Sequence, residues 1–379
     1  MKTYSIIYAL LALVVFGCSK SGDSELIEEI EKEETFFNAD YVLLQEGNGA
    51  LSAQLLKTNE SSIAKSPAES TFANVPVSDV LFAKQSIFAN FTTLTDCTGK
   101  VTIHDFNDDT SVIVNVFDDM LECNVIVTGI TVEGERLYIS YMLEETSKIN
   151  TYFVRVIDFT SMETSFADIE LDKKPLQMVF TNNRLFVLTI DLEITDEFSL
   201  SVIDGTNSMV IHEIGLGYDV EQIFADKDQN MIISYQELHT VLNSSTMGVQ
   251  YIGYEEGKEP LFHGSEFNCF DDQGRLFYKR PNEDGEQSNI PAIYDFANNL
   301  AILYFYENFL TASQLEFEYK IGDTTMVSYD DINNIMIVGY QKMDNENKGG
   351  LLRIQLEPTP KLLDNLDLDA VPRQLFYQN

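Results

Sequence analysis

One unit of strand, polar turn and strand recurs along this chain and constrains its fold more than any other feature. Its clearest copy lies in residues 172–201, where the apolar segment PLQMVF from Pro175 precedes the turn TNNR. The apolar segments LFVLTI from Leu185 and FSLSVID from Phe198 follow this turn. Apolar segments rich in β-branched and aromatic residues and joined by short polar turns predict an antiparallel meander.

The second strand of this unit aligns seven times along the sequence. Its copies begin at Tyr41, Ile87, Leu137, Leu185, Met231, Leu276 and Ile335. The spacing is 45–50 residues, except for 59 residues before the last copy. Because a four-stranded propeller blade takes about 40–50 residues, the repeat predicts seven blades.

The two ends of the chain complement each other. No inner strand precedes the copy at Tyr41, and the chain ends in VPRQLFYQN from Val371, an inner strand without a successor. We therefore predict an all-β fold, a seven-bladed β-propeller of four-stranded antiparallel blades over residues 38–379. The N- and C-terminal strands share one blade and close the ring. An open all-β solenoid is the alternative, and the complementary half-blades argue against it.

Residues 1–17 have the pattern of a lipoprotein signal peptide. Lys2 precedes an apolar run of eleven residues, 6–16, which is too short to span a bilayer. Gly17 and Cys18 then resemble a bacterial lipobox, which predicts that Cys18 is lipidated. An ordinary signal peptide with an incidental cysteine is the alternative. Ser19 rather than Asp follows the cysteine, which resembles lipoproteins sorted to the outer membrane.

The rest of the N-terminal region and the whole chain are strongly acidic. Residues 18–37 contain ELIEEIEKEE and predict an acidic tether that holds the propeller away from a membrane. The chain has 61 acidic and 24 basic residues, giving a net charge of −37. This charge repels nucleic acid and anionic membranes, so we expect no nucleic-acid partner and membrane attachment only through the lipid anchor.

Two further cysteines fall in predicted loops on the same face of the propeller. Cys97 lies between the second and third strands of the second blade, and Cys123 lies in the link to the third blade. An exported compartment permits oxidation, so we predict a Cys97–Cys123 disulfide, with two independent thiols as the alternative. Cys269 lies within a strand and is expected to be a buried apolar residue.

The loops between second and third strands, together with the blade-to-blade links, form the predicted ligand-binding face. Candidate ligand-binding residues there are Tyr218, His239, His263, Lys173 and Lys174. The three rings can stack on a planar ligand, and the lysines are rare positive charges on an acidic protein. The alternative is that all five are ordinary loop residues and that the ligand binds the opposite face, near turns at positions 182, 226, 271 and 330.

The sequence contains no recognisable catalytic, metal or cofactor motif. The four histidines lack metal-ligand spacing, and GxSxG, P-loop and dinucleotide-binding patterns are absent. The turn at Asp226 matches part of a calcium loop, but Met231 stands where that loop needs glycine, which favours an ordinary hairpin turn. We therefore expect no metal, no cofactor and no catalytic residue.

The segment YVLLQEGNGAL from Tyr41 resembles the opening of the YncE-like propeller lipoproteins of Bacteroidetes, through Glu46, Gly47 and Asn48. With the lipobox, the tether and the seven repeats, this resemblance extends over nearly the whole chain. It implies a surface-exposed outer-membrane lipoprotein that binds a nutrient ligand or a partner and assists a TonB-dependent transporter. One branch of these proteins captures cobalamin on a propeller face. Their ligand residues form no fixed motif, so none is transferred to this chain.

Two functional hypotheses from different classes remain open at this point. The first is a non-enzymatic protein that captures a nutrient or a partner at the cell surface. The second is an enzyme that acts at the central channel, as some propeller lyases, hydrolases and quinone-dependent dehydrogenases do. The missing motifs favour the first hypothesis, although a fold alone does not determine a function.

Replacing Cys18 with alanine tests the predicted anchor. Because lipid attachment requires the thiol, Cys18→Ala should leave the protein unprocessed or soluble after export. Membrane fractionation and labelling with palmitate measure this outcome, with Cys269→Ala as the matched control. A Cys18→Ala protein that fractionates with the outer membrane and takes up as much palmitate as the wild type would contradict the prediction.

Overall fold

The described residues fold into seven antiparallel sheets that follow one another around a ring. The computed structural model describes residues 37–94, 98–120, 124–144, 150–160, 165–263, 267–283 and 285–378. Each sheet contains a path of four hydrogen-bonded strands. This confirms the predicted seven-bladed β-propeller. We number the blades 1–7 along the chain and name the strands of each blade inner, second, third and outer from the central channel.

Blades 1 to 3 are formed by the N-terminal part of the described chain. Blade 1 contains β1 (Asp40–Gly47), β2 (Ala50–Thr58) and β3 (Ile63–Glu69), with the short β4 (Val75–Pro76) paired to β2. Blade 2 contains β5 (Leu81–Lys84), β6 (Ile87–Thr93), β7 (Gly99–Asp105) and β8 (Thr110–Val116). Blade 3 contains β9 (Val125–Glu133), β10 (Arg136–Leu143), β11 (Thr151–Asp158) and β12 (Ser165–Leu171).

Blades 4 and 5 repeat the same strand order. Blade 4 contains β13 (Lys174–Thr181), β14 (Arg184–Ile190), β15 (Phe198–Asp204) and β16 (Val210–Gly217). Blade 5 contains β17 (Val220–Ala225), β18 (Met231–Tyr235), β19 (Leu238–Leu242) and β20 (Val249–Gly253).

Blades 6 and 7 complete the ring. Blade 6 contains β21 (Cys269–Phe270), β22 (Leu276–Pro281), β23 (Asn289–Asp295) and β24 (Leu300–Leu303). Blade 7 contains β25 (Ile321–Asp330), β26 (Ile335–Lys342), β27 (Asn345–Gln355) and β28 (Lys361–Leu368). The link between them holds a 3₁₀ helix (Tyr306–Asn308) and a π-helix (Gln314–Glu318), which explains the longer spacing before the last repeat. None of the helices in the described residues is long and apolar enough to cross a membrane.

The core lies between neighbouring blades, and this position explains the continuous apolar second strands. Both faces of a second strand pack against another sheet, so most residues on both faces are apolar. In β14, for example, Leu185 and Val187 pack towards blade 3 while Phe186 and Leu188 pack with Ile223 of blade 5. All seven second strands begin within one residue of the predicted position.

The prediction for the third strand of blade 5 is wrong. Alignment with FSLSVID, the third strand of the clearest repeat, predicts GVQYIGY from Gly248 as the third strand of blade 5, but this segment forms the outer strand β20. The third strand is β19, which follows β18 after a turn of only two residues, Gln236 and Glu237. The polar residues His239 and Thr240 within β19 concealed it, because both are buried despite their polarity.

The ring closes through the last strand of the chain. Strand β29 (Val371–Tyr377) pairs antiparallel with β1 as the inner strand of blade 1, which confirms the predicted closure. The neighbouring blade 7 is joined to blade 1 by side chains: Tyr41 Oη donates a hydrogen bond to Asp330. Arg353 Nη1 donates to the carbonyl of Asn59 over 3.0 Å. The N- and C-terminal segments are therefore held by backbone pairing within blade 1 and by polar contacts to blade 7.

Deleting residues 371–379 should destabilise the whole propeller. The deletion removes a strand whose Leu375 and Phe376 are buried, and it leaves β1 without its inner partner. We expect a loss of at least about 4 kcal/mol, a large share of the ~5–15 kcal/mol typical of a folded domain. Urea denaturation measures the change, and removal of Asn379 alone is the control. An unchanged unfolding midpoint after the longer deletion would contradict the closure.

Candidate functional site

The inner strands that surround the central channel share a local irregularity. In five blades the inner strand contains a β-bulge, which leaves one residue outside the ladder with the second strand. These residues are Thr128, Leu176, Glu221, Thr325 and Arg373, and β25 has a second bulge that leaves out Gly322. A bulge bends the strand and redirects a side chain. Four of these six residues, Thr128, Leu176, Thr325 and Arg373, line cavities of the channel, so the bulges determine much of its chemistry.

The largest of these cavities has a volume of about 940 Å³ and is called the funnel here. It lies among the inner strands of blades 2 to 6 and reaches the turns that connect inner and second strands. Its apolar wall includes Phe82, Leu176, Met178, Val179, Phe180 and Phe270. The volume is within the range of about 300–1,000 Å³ that ligand pockets occupy. The funnel therefore offers an apolar surface large enough for a small molecule.

Polar and charged groups form the rim of the funnel. Lys84 Nζ lies 2.7 Å from Glu133 Oε2 and joins blades 2 and 3. Asp226 Oδ1 accepts a hydrogen bond of 2.7 Å from the backbone of Asn230, and burial raises the pKa of this carboxyl. This is the hairpin-turn geometry that the sequence favoured for Asp226. The rim can hydrogen-bond to a ligand whose body contacts the apolar wall.

The opposite end of the channel is smaller and charged. A cavity of about 260 Å³ is lined by Glu46 and Arg373, and a second cavity of about 220 Å³ adds Lys279 and Thr325. Arg373 Nε donates a hydrogen bond of 2.8 Å to Glu46 Oε2. Phe267 lines both the funnel and the 260 Å³ cavity, so the two spaces share a wall. We call the part around Arg373 and Lys279 the charged end.

Four of the five predicted ligand residues lie near the surface, and three of them, Tyr218, Lys173 and His263, each lie beside a different carboxylate. Tyr218 is 56% exposed, and the carboxylate of Glu197 raises its pKa. Lys173 Nζ donates a 2.5 Å hydrogen bond to Ser199 and lies 3.7 Å from Glu213. His263 Nδ1 lies 3.3 Å from Glu221, and Lys174 is the first residue of β13. Within the described chain, no hydrogen bond or ion pair joins these four side chains to one another. Their role in ligand binding stays a prediction.

The fifth predicted residue, His239, does not lie in a loop. It belongs to β19, and its side chain is fully buried. Its ring stacks on Tyr254 with the centroids 5.5 Å apart, and the rings of Phe262, Tyr294 and Phe296 surround it. Nδ1 lies 3.1 Å from Tyr254 Oη. This aromatic environment lowers the pKa of His239 to about 4 through burial, and it leaves no ring face for a surface ligand.

The cysteine predictions have different outcomes. Cys18, Cys97 and Cys123 lie outside the described residues, so the lipidation and the disulfide stay predictions. Cys269 is a free thiol in β21. Its side chain is only partly buried, whereas the sequence predicted a buried residue. Burial raises the pKa of this thiol to about 11, so it is protonated at neutral pH. Within the described part of the chain, no group of three or more His, Cys, Asp or Glu residues is placed to hold a metal ion.

Sequence reasoning missed the residues of the channel itself. Arg373, Lys279 and Thr325 were not among the candidates, because each lies in a strand that was read only as part of the repeat. One signal was present: PRQLFY aligns with PLQMVF, which places Arg373 at the position of Leu176. An arginine where an equivalent strand has leucine indicates a different environment at that point of the ring.

Comparison with known proteins gives structural similarity alone. No protein-family model and no curated protein sequence matches the chain. A puromycin-hydrolyzing peptidase of Mycobacterium tuberculosis is 9% identical with a TM-score of 0.44, covering 87% of this chain and 54% of its own. The β-propeller domain of the Trilobed protease from Pyrococcus furiosus is 11% identical with a TM-score of 0.46, and the match covers 86% of this chain and 94% of that domain. The WD40 domain of SCAP from fission yeast is 9% identical with a TM-score of 0.41, and the match covers 89% of this chain and 91% of that domain. The chain thus spans about half of the peptidase, and no function follows from similarities of this size.

Replacing His239 with glutamine should change how stability depends on pH. The folded-state pKa of about 4 lies below the ordinary 6.5, so the neutral buried ring stabilises the fold above pH 6.5. This contribution is lost as the pH falls from 6.5 towards 4, by about 2–3 kcal/mol at pH 4.5. Urea denaturation of His239→Gln at pH 7 and pH 4.5 should show a correspondingly smaller loss than the wild type. His212→Gln, at an exposed position of β16, is the control. Equal losses in His239→Gln and the wild type would contradict this account.

Proposed function

We propose that this protein captures a small, partly apolar ligand in the funnel of its central channel. The funnel volume of about 940 Å³ is the observation that carries the proposal. A cavity of this size with an apolar wall and a polar rim can remove most of a small ligand from water while it fixes the ligand's orientation. Burial of apolar ligand surface supplies the affinity, and the rim supplies the selectivity.

The proposal moves the predicted ligand site to the other face of the propeller. The funnel reaches the turns between inner and second strands, including those at Asn182 and Asp226. That face was the alternative to the loops that carry Tyr218 and His263. Those loops remain available as a contact surface for a partner protein, because Tyr218 is exposed.

We further propose that the protein acts at the cell surface as an outer-membrane lipoprotein of the YncE-like type and passes its ligand to a TonB-dependent transporter. The lipobox at Cys18 and the acidic tether support the location, and the resemblance around Glu46 supports the partner. In this arrangement the propeller binds a nutrient without transforming it. The Cys18→Ala protein should then also lose its chemical cross-links to a TonB-dependent transporter in intact cells. If wild-type protein forms no such cross-links, the partnership is wrong.

Filling the funnel should abolish ligand capture. Leu176 is a bulge residue on the funnel wall, so Leu176→Trp adds an indole ring to the cavity without a change in the strand ladder. We expect its affinity for the uncharged fluorescent probe N-phenylnaphthylamine to fall at least about 10-fold, since the added ring and the probe compete for the same volume. Fluorescence titration measures the binding.

Leu192→Trp is the matched control, because Leu192 is 51% exposed in the loop between β14 and β15. It should bind the probe like the wild type. Recovery of the probe chemically unchanged distinguishes capture from catalysis. Wild-type affinity in a Leu176→Trp protein that also melts like the wild type would show that the funnel is not the binding site.

A further inference from the structure

A small recess at the charged end has the features of an anion site. It has a volume of about 20 Å³ and is lined by Phe267, Lys279, Thr325, Met326, Arg373 and Gln374, with Val327. This volume accommodates about one water-sized atom group. Its lining contains two cations and no carboxylate, on a chain with a net charge of −37.

The strand structure explains why the two cations meet there. Arg373 is the bulge residue of β29, so its side chain leaves the ladder and lies in the channel. Lys279 belongs to β22, the second strand of blade 6. In most blades an inner strand separates such a residue from the channel, but the ladder of β21 covers only Leu276 and Phe277 of β22. Lys279 therefore reaches the channel from a second strand.

Two polar groups of the recess are available for a ligand. Thr325 Oγ1 is buried and has no hydrogen-bond partner among the described residues. A buried hydroxyl without a partner costs stability unless a bound group satisfies it. Lys279 forms no ion pair with another described residue, whereas Arg373 is held by Glu46. The hydroxyl and the ammonium group both donate hydrogen bonds, which fits an acceptor that carries negative charge.

The carboxylates near the recess line the adjoining cavities rather than the recess itself. Glu46 is paired with Arg373. Asp323, in the adjoining 220 Å³ cavity, accepts hydrogen bonds of 2.7 and 2.8 Å from Asn289. The recess itself is lined by Lys279 and Arg373 and by no carboxylate, so its own charged groups are positive. Glu346 lines the 220 Å³ cavity and Asp79 lines the 260 Å³ cavity, and these carboxylates limit the ligand to a single negative charge at this end.

We propose that Lys279, Thr325 and Arg373 bind the carboxylate, or a similar singly charged oxyanion, of the ligand whose apolar body occupies the funnel. This assignment rests on the proposed function and names the chemical class of its ligand: an amphipathic molecule with one anionic group. One carboxylate oxygen enters the recess and accepts hydrogen bonds from Thr325 Oγ1 and Lys279 Nζ. Arg373, positioned by Glu46, adds its charge, and the shared wall at Phe267 connects the head group to the apolar body.

Two probes that differ in charge test the assignment. Anilinonaphthalene sulfonate and N-phenylnaphthylamine share a ring system, but only the first carries an anionic group. Lys279→Gln and Thr325→Val should each weaken binding of the sulfonate roughly 10-fold, the effect of losing one charge-assisted hydrogen bond, and change the uncharged probe less than about twofold. Lys57→Gln, in the third strand of blade 1 with its side chain 64% exposed, is the matched control and should leave both affinities unchanged.

The outcomes separate this assignment from the proposed function. If the wild type binds the uncharged probe but Lys279→Gln binds the sulfonate as well as the wild type, the anion site is wrong and capture in the funnel stands. If the wild type binds neither probe, both proposals are wrong. Competition at matched ionic strength identifies the anion: formate should displace the sulfonate, and equal displacement by chloride would overturn the carboxylate assignment in favour of a halide site.

Discussion

The pairing of β29 with β1 is the interaction on which the rest of the structure depends. Each blade packs its second strand between two neighbours, so a ring of seven blades buries every second strand only when it is closed. Backbone hydrogen bonds from Tyr41 to Glu46 make this closure, over nearly the full length of β29. The chain ends thereby hold one another, and all seven interblade cores depend on a contact between residues more than 300 positions apart in sequence.

The contact between blades 7 and 1 shows how polar groups reinforce this closure. Arg353 is 1% exposed in the third strand of blade 7, and its Nε donates a 2.6 Å hydrogen bond to Asp364. Asp364 also accepts a 2.6 Å hydrogen bond from the backbone of Ile63 in blade 1. A buried ion pair contributes little net stability against an apolar pair, but breaking it leaves an unpaired charge. Its effect is therefore to favour one way of joining blade 7 to blade 1.

The fold could be predicted from sequence because it depends on a repeated pattern, whereas the channel depends on single positions. Seven apolar second strands at a near-constant spacing determine the blade count, and no individual residue decides it. The third strand of blade 5 was misplaced because His239 and Thr240 are buried polar residues, which a pattern of apolar residues does not reveal. The chemistry of the funnel wall depends on which residue of an inner strand lies outside the ladder. The sequence PLQMVF predicts a strand, but it does not show that Leu176 rather than Gln177 lies outside the ladder.

An inner strand must connect neighbouring blades and also line the channel, and the bulges assign these two roles to different residues. Residues within the ladder connect blades: Gln177 Oε1, for example, accepts a 2.8 Å hydrogen bond from the backbone of Ile223 in the next blade. Leu176, the bulge residue beside Gln177, is not required for this contact between blades, since it lies outside the ladder. Leucine at position 176 and arginine at position 373 can therefore occupy equivalent places without altering the blades that carry them. A channel with an apolar funnel and a charged end arises from one strand pattern because the bulge lets side-chain chemistry vary while strand pairing stays constant.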